Sequence, residues 1–259
     1  MMWNEFIFFA LPAVILWLSA GILVYTKINR RYIDVLMLSG IVIFAVFITG
    51  LWVGQEHPPM RTMGETRLWY SFFLSFIGFL SYKQWKYTWL LSFSSLVSCI
   101  FVFINIFKPE IHSKNLMPAL QSIWFVPHVT AYIFSYAMLG AATIASIIGL
   151  RKINKGGMDK KLYEMVDNLV YAGFAFLMLG MLMGCVWAKQ AWGHYWSWDP
   201  KETWAFATAA AYLVYIHVRI KKDNTTFALW VLLIAFILLL ITWIGVNYLP
   251  ATAGSIHTY

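Results

Sequence analysis

Between Trp192 and Trp204 the chain reads WGHYWSWDPKETW, thirteen residues with four tryptophans (Trp192, Trp196, Trp198, Trp204) and Tyr195. Rings at this density have two uses. They can form the aromatic belt that marks where a bilayer meets water, or give a large flat apolar ligand a rigid surface at small entropic cost. A belt spreads its aromatics over many helix ends, so this cluster favours the second use. The second half of the segment has the chemistry of a helix start. Asp199 can act as N-cap, Pro200 fits the first helical position, and Glu202 falls three residues after the cap.

Six histidines are the other residues able to do chemistry: His57, His112, His128, His194, His217 and His257. His128 follows Pro127, beside Trp124 and Phe125, and His257 lies nine residues past Tyr248. A tail of that length reaches about 30 Å when extended. Two neutral imidazoles at the rim of an aromatic platform are what a bis-histidine haem site needs; the plain alternative is that each is an interfacial residue satisfied by water. His217 stands about 27 Å along a helix begun at Asp199, inside an apolar run, where an ionisable residue is a functional candidate; the plain alternative is that, this near the interface and just before Arg219, it simply reaches water. Ala205, Ala207, Ala209, Ala210 and Ala211 on that helix suit close helix packing or a planar ligand equally. His194 could be a ligand, but its neighbours serve the platform more plainly, and His57 and His112, in polar segments, are expected to be solvated.

These residues must be positioned by membrane helices. The chain of 259 residues is 61% hydrophobic and 12% charged, half the charge of a soluble domain. Eight apolar runs can be drawn at about 6–25, 33–53, 68–82, 88–107, 128–150, 168–188, 200–220 and 227–248, each near the length that spans a bilayer. The expectation is an all-α polytopic membrane protein, one integral-membrane domain over 1–259, with 189–204 as an external tryptophan-rich segment. No basic region precedes the first run and no small-residue cleavage site follows it, so no cleaved signal peptide is expected.

The formal net charge is +8, but the basic residues sit between apolar runs rather than along a stripe, which argues against nucleic acid. They report topology instead. Alternate loops carry thirteen Lys and Arg on one side and six on the other. The positive-inside rule then places both termini and the tryptophan segment on the outer, periplasmic face. Cys99 and Cys185 fall inside apolar runs, without metal-ligand spacing.

The segment WGHYWSWDPKETW resembles the tryptophan-rich "WWD" signature of haem-handling proteins in cytochrome c maturation. Its WDPKET continuation is similar to the CcsA (ResC) branch rather than CcmC or CcmF. A histidine before the motif (His128), one in the following helix (His217) and one near the C-terminus (His257) agree with the family pattern, so the resemblance covers nearly the whole chain. It implies a membrane subunit of System II cytochrome c synthetase, a haem lyase acting with CcsB (ResB). That complex brings haem b from the cytoplasmic side and attaches it to the CxxCH motif of apocytochrome c. His128 and His257 would be outer axial ligands on a platform of Trp192, Tyr195, Trp196, Trp198, Asp199 and Trp204. His217 would be one of two ligands at the inner site, the second coming from CcsB on a separate chain. The location implied is the bacterial inner membrane. The sequence PPMRTMGETR only loosely resembles the family's asparagine-tyrosine-glutamate pattern, with Glu65 in the place of its glutamate; Arg61 and Arg67 could meet haem propionates. Rival readings are CcmC-type haem delivery, a haem-containing quinol oxidoreductase subunit and a permease.

Overall fold

A computed structural model describes residues 1–112, 122–154, 156–157, 160–221 and 225–249. Among these residues the regular structure is all helix, as hydrocarbon demands, because each peptide group there must find its partner within its own segment. The helices are α1 (Phe6–Leu23), α2 (Arg30–Gln55), α3 (Met63–Trp85), α4 (Thr88–Phe107), α5 (Phe125–Ile153), α6 (Lys160–Trp192), α7 (Pro200–Ile220) and α8 (Thr225–Trp243). Six of these are long and apolar enough to cross a bilayer: α1, α2, α4, α5, α6 and α8. The protein is a polytopic membrane protein. α3 and α7 have 23 and 21 residues, enough length to span, but each opens on a polar turn (Glu65-Thr66-Arg67, Lys201-Glu202-Thr203) that lowers its hydropathy.

The chain divides into two compact units, Met1–Leu116 and Met117–Tyr259. In the first, α1 packs on α2 and α4, and α3 packs on α4 and along α2. Trp17, Phe44 and Phe47 are fully buried at its centre. The Ser92 hydroxyl donates to the Gly21 carbonyl at 2.6 Å, tying α4 to α1, and Lys83 pairs with Asp34 at 2.6 Å between α3 and α2. In the second unit α5 packs on α6 and α8, and α7 packs on α8 and along α6. Ser135 donates to the Gly173 carbonyl at 2.7 Å and Ser146 to the Leu229 carbonyl at 3.0 Å. Small and hydroxyl residues do this work where no hydrophobic force draws helices together. At the end of α6 and α7 remote from the tryptophan segment, Arg219 grips Asp167 through two bonds of 2.8 and 2.7 Å, and Tyr215 donates to the same carboxylate at 2.7 Å.

The two units repeat one plan. Seven residues join α2 to α3 and seven join α6 to α7. Both joints begin with a left-handed residue, Glu56 (φ 60°) or Gly193 (φ 85°), followed at once by His57 or His194. Both end in an N-cap with an acidic residue at the third helical position, Thr62 with Glu65 and Asp199 with Glu202. These pairs, the Glu-Thr dipeptides and the first residues of α4 and α8 (Thr88, Thr225) all lie 137 positions apart. A short 3₁₀ turn then follows each fourth helix, Pro109–His112 and Gly245–Tyr248.

Candidate functional site

α6 runs to Trp192 and stops where Gly193 takes the left-handed conformation, its carbonyl capped by the Lys189 ammonium at 2.8 Å. α7 starts as its sequence requires. The Asp199 carboxylate accepts from the Lys201 amide at 3.0 Å. The Glu202 carboxylate reaches back to accept from the amides of Ser197 (2.7 Å) and Asp199 (3.2 Å) and from the Ser197 hydroxyl (3.3 Å). Thr203 donates to the Trp198 carbonyl at 3.1 Å. Residues 197–199 are thus tied to the first turn of α7. This holds Trp198 at φ 59°, a left-handed state that costs a side-chain-bearing residue about 1–2 kcal/mol.

The tryptophans do not make one flat shelf. Trp198 (64% exposed) and Tyr195 (59%) project outward. Trp196 is half-buried, its indole nitrogen enclosed without a hydrogen-bond partner. It meets Trp198 edge-on, at 5.8 Å and 86°, and Trp198 in turn meets Phe206 of α7 at 5.9 Å and 76°. Trp192 turns inward, edge to face with the buried Trp187 at 4.6 Å. Trp204 is half-buried one turn into α7.

Trp187 connects the segment to a histidine. The His128 ring, in the first turn of α5, lies nearly parallel to Trp187 (5.5 Å, 18°) with Tyr132 edge-on at 4.7 Å. His128 Nδ1 stands 2.7 Å from the Gly180 carbonyl of α6. A carbonyl only accepts, so Nδ1 carries the proton and Nε2 is the nitrogen whose lone pair can bond a metal. Gly184 provides the space: a Cβ there would sit 2.6 Å from His128 Cε1. Trp187, Gly180 and Gly184 escaped the reading of the sequence, although GMLMG at 180–184 is a small-xxx-small pattern and signals a close approach.

His217 lies exposed near the far end of α7, with Nδ1 donating to the Leu213 carbonyl at 2.8 Å. His194 is exposed in the loop. His257 lies outside the described residues. His112 is not solvated as expected. It stacks on Trp3 at 3.7 Å and 8°, its Nε2 fully enclosed, because Gly64 leaves room for the ring at the start of α3. Burial lowers its pKa from the usual imidazole value, opposed in part by Glu110 and the Asn105 carbonyl. Both carboxylate oxygens of Glu65, which is buried, are engaged within the protein. Its carboxylate accepts from the amides of Arg61 (2.6 Å) and Thr62 (2.9 Å) and from Gln55 (3.1 Å).

Residues 7–253 match the cytochrome C assembly protein family. Among curated relatives, the cytochrome c biogenesis protein CcsA of Pelargonium hortorum is 31% identical, over 85% of this chain and 85% of its own. The chain belongs to the CcsA family. The CcsA of Prochlorococcus marinus is 29% identical over 89% of this chain and 84% of its own. That of Chlamydomonas reinhardtii is 32% identical over 80% of this chain, and the match spans 62% of the algal protein. In this chain the WDPKET residues Asp199 and Glu202 act as a cap that clamps the end of the loop.

Proposed function

We propose that this CcsA-family chain is a membrane subunit of a cytochrome c synthetase acting with a CcsB partner. Its substrate is haem b, taken from the cytoplasmic side and presented at the periplasmic face of a bacterial inner membrane for thioether attachment to a CxxCH apocytochrome c. Eight crossings with both termini outside go with this reading. The observation that carries it is the His128 imidazole, held by the Gly180 carbonyl in the tautomer with Nε2 unprotonated and joined through Trp187 to the tryptophan segment.

His128 and His257 are the outer axial ligands. The second rests on the sequence pattern: His257 follows Tyr248 by nine residues, a length of chain that reaches about 30 Å when extended. Trp198 and Tyr195 offer the apolar faces against which a porphyrin is held. Attachment then needs orientation more than acid–base chemistry: the vinyl edge stays open to two cysteine thiols while the ring is fixed. His217 is the inner ligand. It is exposed on α7, which leaves it open to a companion imidazole from a CcsB partner.

His128→Ala, purified with the partner, is expected to lose the outer haem spectrum and to regain covalent attachment when imidazole is supplied. A variant with wild-type haem content and spectrum would remove His128 from the site. Coexpression with a CcsB protein and an apocytochrome, stained for covalent haem, tests the whole reading; the quinol oxidoreductase, permease and CcmC-type readings each require no stain.

A further inference from the structure

One side of α7 is exposed along its length. Thr203, Phe206, Ala210, Leu213, Val214 and His217 all lie open, and their spacing of three and four puts them on a single face. The stripe begins at Phe206, which touches Trp198 of the outer segment. It ends eleven residues on at His217, about 16 Å along the axis. Lipid can cover apolar side chains, but an imidazole on such a face is costly without a purpose.

The repeat supplies an internal comparison. The residues of α3 that stand 137 positions earlier are Thr66, Trp69, Phe73, Phe76, Ile77 and Leu80. There the middle of the face is filled, with Phe73 stacked on Trp69 at 5.3 Å and 28°, and the inner end carries Leu80. On α7 the position of Phe73 is Ala210, with no side chain beyond its methyl, and the position of Leu80 is His217. The same scaffold has thus been cleared at its midpoint and given an imidazole at its inner end. Unit 1 also lacks the outer indoles: Pro59 and Arg61 stand where unit 2 has Trp196 and Trp198.

We propose that the exposed face of α7, with Ala210 as its notch, is the surface along which the planar tetrapyrrole passes from His217 to the tryptophan segment. This rests on the haem reading above and names the route that reading needs. The ring travels flat against the helix, its apolar face on Leu213, Ala210 and Phe206 in turn. No bond forms or breaks along the way except the axial ones at each end.

The test is Ala210→Phe, the side chain that unit 1 carries, in the full chain coexpressed with its partner and compared with His128→Ala. Haem per protein and the absorption spectrum are read on the purified complexes. Ala210→Phe is expected to copy His128→Ala: inner haem retained, outer haem and covalent attachment down at least tenfold. Ala210→Ser should match wild type. As a guard against misfolding, Ala210→Cys is purified folded and then blocked with a bulky maleimide, with a small thiol reagent as control; only the bulky adduct should stop added haem from reaching the outer site. If His128→Ala loses outer haem but Ala210→Phe and the bulky adduct keep it, the route is wrong and the haem reading stands. If His128→Ala itself leaves the haem unchanged, the reading beneath it falls first.

Discussion

The carboxylate of Glu202 does more for the tryptophan segment than any indole in it. Three donors converge on it, two of them amides that would otherwise be orphaned near the start of α7. Glu202→Ala should cost on the order of 3 kcal/mol locally, read as faster amide exchange over residues 197–203. Asp199→Ala should cost about 0.5–2 kcal/mol, and Asp199→Asn should stay close to wild type. Exchange unchanged in Glu202→Ala would mean that something else holds the loop. His112 gives a prediction in pH. Because burial lowers its pKa, the unfolded form takes up a proton before the folded one. Stability from this group is therefore complete above about pH 6.5 and declines as pH falls below it. Protection of residues 109–112 should drop on acidification in the wild type and not in His112→Phe. The capping residues were legible in sequence because a cap is local. The environment of His112 was not, since it depends on Trp3 and Gly64, which are remote along the chain.

At the scale of helices, glycine placement on α6 decides the geometry of His128. Gly180 lends a carbonyl, Gly184 lends space, and Trp187 one turn further lends a face. Gly184→Ala would force the ring away, since a Cβ at 2.6 Å from Cε1 cannot be accommodated in place. If His128 holds haem as proposed, the expected result is an altered haem spectrum with helix content preserved; an unchanged spectrum would count against His128 as an iron ligand. The helices themselves were read from apolar runs, and their order and approximate bounds agree with the structure. The stripe on α7 could not be read the same way. Its residues have helical spacing, but which face of a mostly apolar helix stays open depends on the neighbours packed against the others, here α8 and α6.

For the whole molecule, the repeat of one four-helix plan makes loop exchange possible. Residues 193–199 and 56–62 have equal length, left-handed starts and capped ends. Replacing the former with the latter should leave helix content intact, because cap and register are conserved by the exchange. It should also abolish the outer haem spectrum, because Trp196 and Trp198 become Pro and Arg. An unfolded product would mean that the two joints are not interchangeable. The constant displacement of 137 residues was present in the sequence throughout. It stayed hidden because the side chains of the two joints differ so sharply, and only the matched caps and helix contacts made the correspondence plain.

By itself the sequence determined that the chain lives in a membrane, where helices form, that Asp199 and Glu202 open α7, and which family signature it carries. Those are outcomes of local chemistry, set by hydropathy, by capping and by a contiguous motif. Only the tertiary structure decided that the indoles splay into inward and outward sets, that Trp187 bridges Trp192 to His128, and that Glu65 is consumed by its own loop. Each of these depends on which helix faces lie within a few ångströms of one another, and close packing between helices is not written in any single stretch of residues.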